Sequence, residues 1–232
     1  MDEAVDLLAR PLYGMPQIDR LLGLAAGTAR RWIDGYRREG KSYPPVVRPE
    51  PTGDDIVTWG EFVETRLLSE YRNAGVSILR MRPAIDRLRE RFSPLYPLAH
   101  AKPFVAGREL VLEVQKDVHL DRKLQLVVVR NDQLVLTPEA EHFYQAADFS
   151  NDEAGIVERL RPVTEVRDVV IDPLRQFGEP VVRSVPTEIV AEQLRAGETV
   201  EGISERFDLP KGLVEAALRY ELIRDRPEER AA

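Results

Sequence analysis

The feature that most constrains the fold is a pair of apolar helical patterns separated by one glycine and followed by a run of prolines. In "MPQIDRLLGL", Ile18, Leu21 and Leu22 fall at helical spacing, and Gly23 ends the run as suits the left-handed turn after a helix. "AAGTARRWIDGYR" then places Ala29, Trp32, Ile33 and Tyr36 on one face, with Arg30, Arg31 and Arg37 largely off it. The expectation is a helix, a tight turn and a second helix. The following "YPPVVRPEPTGDDIVT" cannot be helical, because its prolines fix φ and lack the N–H. It reads as two extended pieces, Val46 to Arg48 and Ile56 to Thr58, joined by a Pro-Thr-Gly-Asp turn in the position of a wing.

Farther along, Thr58 and Glu61 have the spacing of a capping box and open a helix through "EFVETRLLSEYRNA" that should stop at Gly75. Ser77 can cap "ILRMRPAIDRLRERF", within which Pro83 marks either a kink or the first turn. Pro94, Pro97 and Pro103 place a boundary in that region. From 104 to 136 the pattern predicts strands in "ELVLEV" and in "LQLVVVRNDQLVLT", the second folded at Asn131-Asp132 as a hairpin. "TPEAEHFYQAA" is a helix with Thr137 as cap, and "GIVERLRPV" and "VRDVVIDP" are further strands. Three short helices close the chain: "TEIVAEQLRAG", "TVEGISERFDL" from Thr199, and "PKGLVEAALRYEL" with Pro210 at its first position. The fold class is α+β. It comprises a helix-turn-helix with a wing over 1–95, a small mixed α/β unit over 96–165, a three-helix unit over 166–224 and a disordered tail over 225–232.

Charge is unevenly distributed. Residues 1–110 hold 17 Lys and Arg against 15 Asp and Glu, a balance of +2, so the rest must carry −9 to reach the net −7. A locally basic patch can bind phosphates even so, since screening cuts off distant acids beyond about 8 Å at physiological salt. In a helix-turn-helix the second helix lies in the major groove and its early residues face the bases. That assigns Thr28 and Arg31 to the DNA side with Arg30 beside them, while Arg37, Arg38, Lys41, Tyr43 and Arg48 continue a basic edge into the wing.

Enzyme classes narrow quickly. With no cysteine there are no disulfides, thiolate metal sites or cysteine nucleophiles. No Ser/His/Asp arrangement or phosphate loop is recognisable, and neither a catalytic residue nor a cofactor is expected. The weakest of three readings, a metal-dependent enzyme, rests on Asp117, His119 and Asp121, which would share one face if "QKDVHLDRK" were a strand. No apolar run nears the roughly 18 residues of a membrane span, and "MDEAVDLLAR" carries acids where a signal peptide needs positive charge. A cytoplasmic protein is expected, without membrane contact.

The order of parts, with Gly23, Leu24, Thr28, Arg30 and Trp32 in the first motif and Gly75, Val76 and Ser77 before the fourth helix, resembles the MerR-type winged-helix domain. The departure is Ala25-Ala26 where that family has a Ser-Pro or similar cap, a loss of about 1 kcal/mol at the recognition helix. A second resemblance covers "DPLRQFGEPVVRSVPTEIVAEQLRAGETVEGISERFDLPKGLVEAALRYE". Its Asp172, Pro173, Gly178, Pro180, Val185, Pro186, Gly197, Ile203, Phe207, Leu209, Val214, Ala217, Leu218 and Tyr220 match a small domain family of unassigned function. That family occurs in antitoxins paired with PIN-type ribonuclease toxins; its Gly-Thr-Arg step is replaced here by Arg183-Ser184. Together the two domains resemble the long, winged-helix form of VapB-type antitoxins.

The resemblance implies operator DNA and a PIN-type ribonuclease toxin as partners, and a free-standing MerR-like transcriptional regulator is the alternative. A homodimer is expected, since one winged helix touches few base pairs and a two-fold axis lets two sites add on a palindrome. Residues 185–232 hold 11 acids against 7 bases, which argues for protein rather than DNA contact there, with Val181, Val182, Val185 and Ile189 as the candidate apolar anchor.

Overall fold

Strand β1 (Pro11–Gly14) pairs antiparallel with β4 (Ile56–Thr58), Tyr13 opposite Val57 and Gly14 opposite Ile56. The computed structural model describes residues 7–92 and 95–225. The chain divides into two units after Val157. The boundary expected at 95/96 therefore falls inside the first unit, and that at 165/166 inside the second. Of the expected tail, residues 226–232 lie outside the described residues.

In the first unit, helix α1 (Met15–Leu22) buries Ile18, Leu21 and Leu22 and ends at Gly23 in the left-handed conformation, φ 59°. Helix α2 (Thr28–Ile33) follows but stops short of the expected Tyr36. Gly35 has φ +76°, and a Cβ there would lie 2.6 Å from the Tyr43 carbonyl, so the chain turns directly into a hairpin of β2 (Tyr36–Arg38) and β3 (Lys41–Tyr43). The hairpin beside the second helix is thus 36–43; the pairing expected between Val46–Arg48 and Ile56–Thr58 does not form.

Helix α3 (Trp59–Glu70) begins with the capping box of Thr58 and Glu61. It is the central element: Trp59, Phe62, Val63, Leu67 and Leu68 are fully buried, and so are Glu64 and Thr65. A helix buried on all sides needs partners for its polar groups. Thr65 returns its hydroxyl to the Glu61 carbonyl, and the Trp59 indole donates to the Val157 carbonyl at 2.7 Å. The helix stops at Glu70, before the expected Gly75. Tyr71 leaves it with its hydroxyl bonded between Thr137 Oγ1 and the Gln125 carbonyl, and Arg72 donates to the Gly23 carbonyl at 3.0 Å. Exit from the helix here supplies a C-terminal cap to α1.

A 3-10 turn over Ile78–Met81 leads into α4 (Arg82–Phe92), so Pro83 lies in the first turn rather than at a kink. "ELVLEV" is not a strand but part of α5 (Arg108–Asp117), where Val111, Val114 and Gln115 are buried at helical spacing. The β5 (Val127–Arg130) and β6 (Gln133–Leu136) hairpin forms as expected, with Asn131 and Asp132 at φ 51° and 57° as a primed turn requires. Helix α6 (Pro138–Ala146) and β7 (Ala147–Phe149) complete the unit.

In the second unit, β8 (Val157–Leu160), β9 (Val170–Ile171), β10 (Pro180–Val182) and β11 (Val185–Pro186) pair antiparallel in that order. They are followed by α7 (Thr187–Arg195), α8 (Val200–Phe207, capped by Thr199) and α9 (Lys211–Arg224). Val163, Val169, Val182, Val190, Ile203, Val214 and Tyr220 form its core. No helix among the described residues is long and apolar enough to cross a membrane.

Glu64 is a fully buried carboxyl in the first core. Burial pushes its carboxyl up to about 7, although Arg89 at 3.5 Å and the Leu98 N–H at 3.1 Å oppose that shift. A carboxyl raised from 4.5 on folding contributes stability below its unfolded value that is lost as pH rises through the folded one. The free-energy difference between Glu64→Gln and the wild type should therefore move in favour of the variant by about 1–3 kcal/mol from pH 4.5 to 7.5. Urea denaturation across that range reads it; a pH-independent difference would show that Glu64 stays ionised.

Candidate nucleic-acid interface

At six residues, α2 is too short to persist alone, so its ends must be held from outside. Its N-terminus lacks a local cap, as Ala25-Ala26 foretold, and Gly27 at the cap position has φ 76°. The cap comes instead from α1. Asp19, buried, accepts the Gly27 N–H at 2.7 Å and the Ala29 N–H at 2.8 Å, satisfying free amides and placing negative charge at the positive end of the helix dipole.

The other end is closed by the segment that had been expected to form a strand. The N–H groups of Val46 and Val47 donate to the Trp32 carbonyl at 2.8 and 3.0 Å, and that of Arg48 to the Ile33 carbonyl at 3.3 Å. These are terminal carbonyls of α2 that no helical N–H can reach. On its opposite side the segment's carbonyls are taken by α4: Arg89 donates to Val47, and Arg82 to Pro45 and Pro49, both at 3.1 Å. With its N–H groups and the Val46 and Val47 carbonyls spent on helices, Val46–Arg48 has little to offer a strand.

Arg48 was expected to face DNA. Instead it is 5% exposed and bonded throughout: Nε to Glu61 at 2.7 Å, Nη1 to Asp34 at 2.9 Å and to Thr52 at 2.6 Å, Nη2 to the Ile56 carbonyl at 2.7 Å. Burial alone would raise the Asp34 carboxyl, but the Thr52 N–H, Arg48 and the Gly53 N–H outweigh it and hold it below the ordinary range. Arg48 is a structural staple.

The other candidates are on the surface. Thr28 opens α2, and its hydroxyl accepts from the exposed Arg31 guanidinium at 2.8 Å, fixing the fork over the first turn. Arg30 is ion-paired with Asp55. Arg37, Arg38 and Lys41 are exposed on the hairpin, and Tyr43 stacks on Tyr36 with centroids 4.6 Å apart. Arg31, Arg37 and Arg38 meet at a groove of about 340 Å³, whose other walls are Trp32, Tyr36, Ser77 and Leu79. Ser77 had been assigned as a helix cap. Its side chain makes no cap bond, and it stands exposed beside the arginines. The Gly75-Val76-Ser77 step was the signal available in the sequence.

In the second unit, the expected anchor does not exist as a surface. Val181 and Val182 are fully buried, Val185 packs against the core, and only Ile189 is exposed, at 39%. Strand β10 is paired on both edges, by β9 and β11, and Val182 belongs to the unit's core. Asp117, His119 and Asp121 do not alternate on a strand, since Asp117 ends α5 and His119 turns at φ 50°.

Against known proteins, residues 169–220 match the family described as protein of unknown function DUF433. The chain is 37% identical over 219 residues to the uncharacterized protein Rv2308 of Mycobacterium tuberculosis, across 92% of this chain and 91% of that protein, and it belongs to the same family. It is 29% identical to the protein of the same organism named "Putative antitoxin VapB45", over 90% of this chain and 92% of that one. The crystal structure of Rv2018 from M. tuberculosis superposes with a TM-score of 0.72 at 27% identity, covering 90% of this chain and 97% of that one.

The two clamps of α2 should differ in weight. Asp19→Ala removes a cap and should cost about 1–2 kcal/mol, whereas Arg48→Ala leaves Asp34 and Glu61 buried without their cation and should cost about 3–5 kcal/mol. Chemical denaturation of the full chain measures both; equal, small losses would show that Arg48 is dispensable to the fold.

Proposed function

We propose that the chain is the antitoxin of a toxin–antitoxin module, which binds operator DNA through a MerR-type winged helix in its first unit and neutralises a PIN-type ribonuclease. The observation that carries the DNA reading is the groove where Arg31, Arg37 and Arg38 converge between α2 and the β2–β3 hairpin. Helix α2 offers Thr28 and Arg31 to a major groove, and a guanidinium fork matches the two acceptors of guanine. The hairpin then takes the place of the wing, with Arg38 and Lys41 directed at phosphates. The antitoxin reading is supported by similarity along nearly the whole chain to the protein named "Putative antitoxin VapB45".

The protein acts as a homodimer in this reading. The β5–β6 hairpin is two-stranded among the described residues and carries Val129 at 57% exposure, so its outer edges and this apolar residue suit a symmetric pairing. Light scattering of the full chain at micromolar concentration should give the dimer mass; a monomer would remove this element.

On DNA upstream of its own gene, Arg31→Ala should weaken binding by about 1–3 kcal/mol and relax sequence preference. Arg38→Ala and Lys41→Ala should each lower the slope of log affinity against log salt by about 1, with little change in preference. Gel-shift titrations over a salt series test this, and unchanged affinity in all three variants would refute it. Co-expression with the adjacent gene should give a stable complex and suppress RNA cleavage by that gene's product; a chain that binds its operator but no neighbouring product would be a free-standing regulator.

A further inference from the structure

The segment between β9 and β10 carries two exposed large apolar side chains close together, Phe177 at 82% and Leu174 at 66%. Exposure of one apolar residue is ordinary. What sets this loop apart is that its conformation is disfavoured and nevertheless held. Gln176 and Phe177 have φ of 45° and 53°, both in the left-handed region, where a bulky residue is a genuine outlier. Strain of this kind persists only where surrounding structure imposes it.

The bracing comes from Asp172, which is buried at the base of the loop. One carboxylate oxygen accepts the Leu174 N–H at 2.9 Å, and the other receives Arg159 at 3.0 Å and Arg175 at 3.3 Å. At the tip, Arg175 donates to the Arg183 carbonyl at 3.0 Å and the Gln176 amide to the Ser184 carbonyl at 3.0 Å. The loop is tied at its base and to the β10–β11 turn, so Phe177 is presented outward from a fixed frame.

We propose that Leu174 and Phe177 form a preorganised anchor that enters an apolar pocket on a protein partner, the ribonuclease neutralised by this chain. The identity of that partner rests on the antitoxin reading above. A fixed aromatic beside an aliphatic residue loses little freedom on binding, which is how interface anchors gain affinity. Nucleic acid fits the loop poorly. The nearby Arg175 is paired with Asp172, Arg183 donates to the Asp208 carbonyl, and residues 158–232 hold 16 acids against 12 bases. That balance also disfavours an anionic membrane, while it complements the basic surface with which a ribonuclease holds RNA.

The wild-type chain, Phe177→Asn and the double variant Leu174→Ser/Phe177→Asn are titrated with the purified product of the adjacent gene, assayed for RNA cleavage, with operator binding, melting temperature and molar mass recorded in parallel. Asparagine tolerates the left-handed conformation, so the frame is kept. Phe177→Asn should weaken the complex at least about 30-fold, the loss of a 2 kcal/mol anchor at 1.4 kcal/mol per tenfold. The double variant should weaken it further, with an unchanged or higher melting temperature and unchanged operator affinity. Phe177→Leu should restore most of the binding. Wild type and variants that bind the ribonuclease equally would overturn the anchor alone. A wild type that does not bind it would overturn the antitoxin reading and the anchor with it. Variants that lose operator affinity or dissociate from dimer to monomer, with ribonuclease binding intact, would assign the loop to DNA or to a second copy and overturn the proposal.

Discussion

The first unit depends on one buried guanidinium. Arg48 joins the C-cap of α2 through Asp34, the 52–56 loop through Thr52 and the Asp54 and Ile56 carbonyls, and the first turn of α3 through Glu61. Glu61 is at the same time the far half of the capping box with Thr58. Stripping water from an arginine costs several kcal/mol, and such a group is tolerable only where its N–H groups find acceptors. Here all three nitrogens do. A lysine could not replace it, because an ammonium is a point donor and these acceptors lie around a planar fork. The arrangement fixes position more than it adds stability: it sets where α2 stands relative to β4 and α3, and so where Thr28 and Arg31 face solvent.

Legibility in the sequence followed the range of the forces involved. Features decided within a few residues could be read directly: the stop of α1 at Gly23, the Thr58–Glu61 box, Pro83 in a first turn and the Asn131-Asp132 hairpin. Features decided by distant partners could not. Val46–Arg48 looks like an extended piece but is bent, and its hydrogen bonds go to the end of a helix 14 residues earlier and to an arginine of α4. "ELVLEV" has the composition of a strand, and burial of Val111, Val114 and Gln115 on one side makes it a helix. Asp19 repairs a missing cap from the preceding helix, a compensation that no local pattern encodes. At the candidate site the same division holds. Arg31, Arg37, Arg38 and Lys41 were legible as a basic edge, while Arg48, equally basic and nearby in sequence, is drawn inward by two carboxylates.

That inward Arg48 bears on how an acidic chain could approach DNA. Ionic screening makes local charge count more than net charge, and each arginine committed inside the fold is lost to the surface. The basic edge is therefore smaller than the sequence suggested, and Arg30 is partly offset by Asp55 as well. A modest patch gives modest affinity, and this is why symmetry carries weight in the proposed function. Two such patches on one two-fold axis need not each be strong.

The second unit raises the complementary question of where a small domain can spare apolar surface. Its three helices and four short strands close over one core that takes up Val182, and Val181 on the other face of β10 is buried as well. An anchor drawn from those residues would have to open the sheet, at a cost comparable to the stability of the unit itself. A loop outside the core escapes that conflict. Leu174 and Phe177 can be given to a partner without loss of packing, and the strain at Gln176 and Phe177 is carried by Asp172 and the β10–β11 turn rather than by the core. A local conflict between residue type and backbone, maintained by bonds from outside the loop, is the pattern expected where a fold gives up stability for recognition.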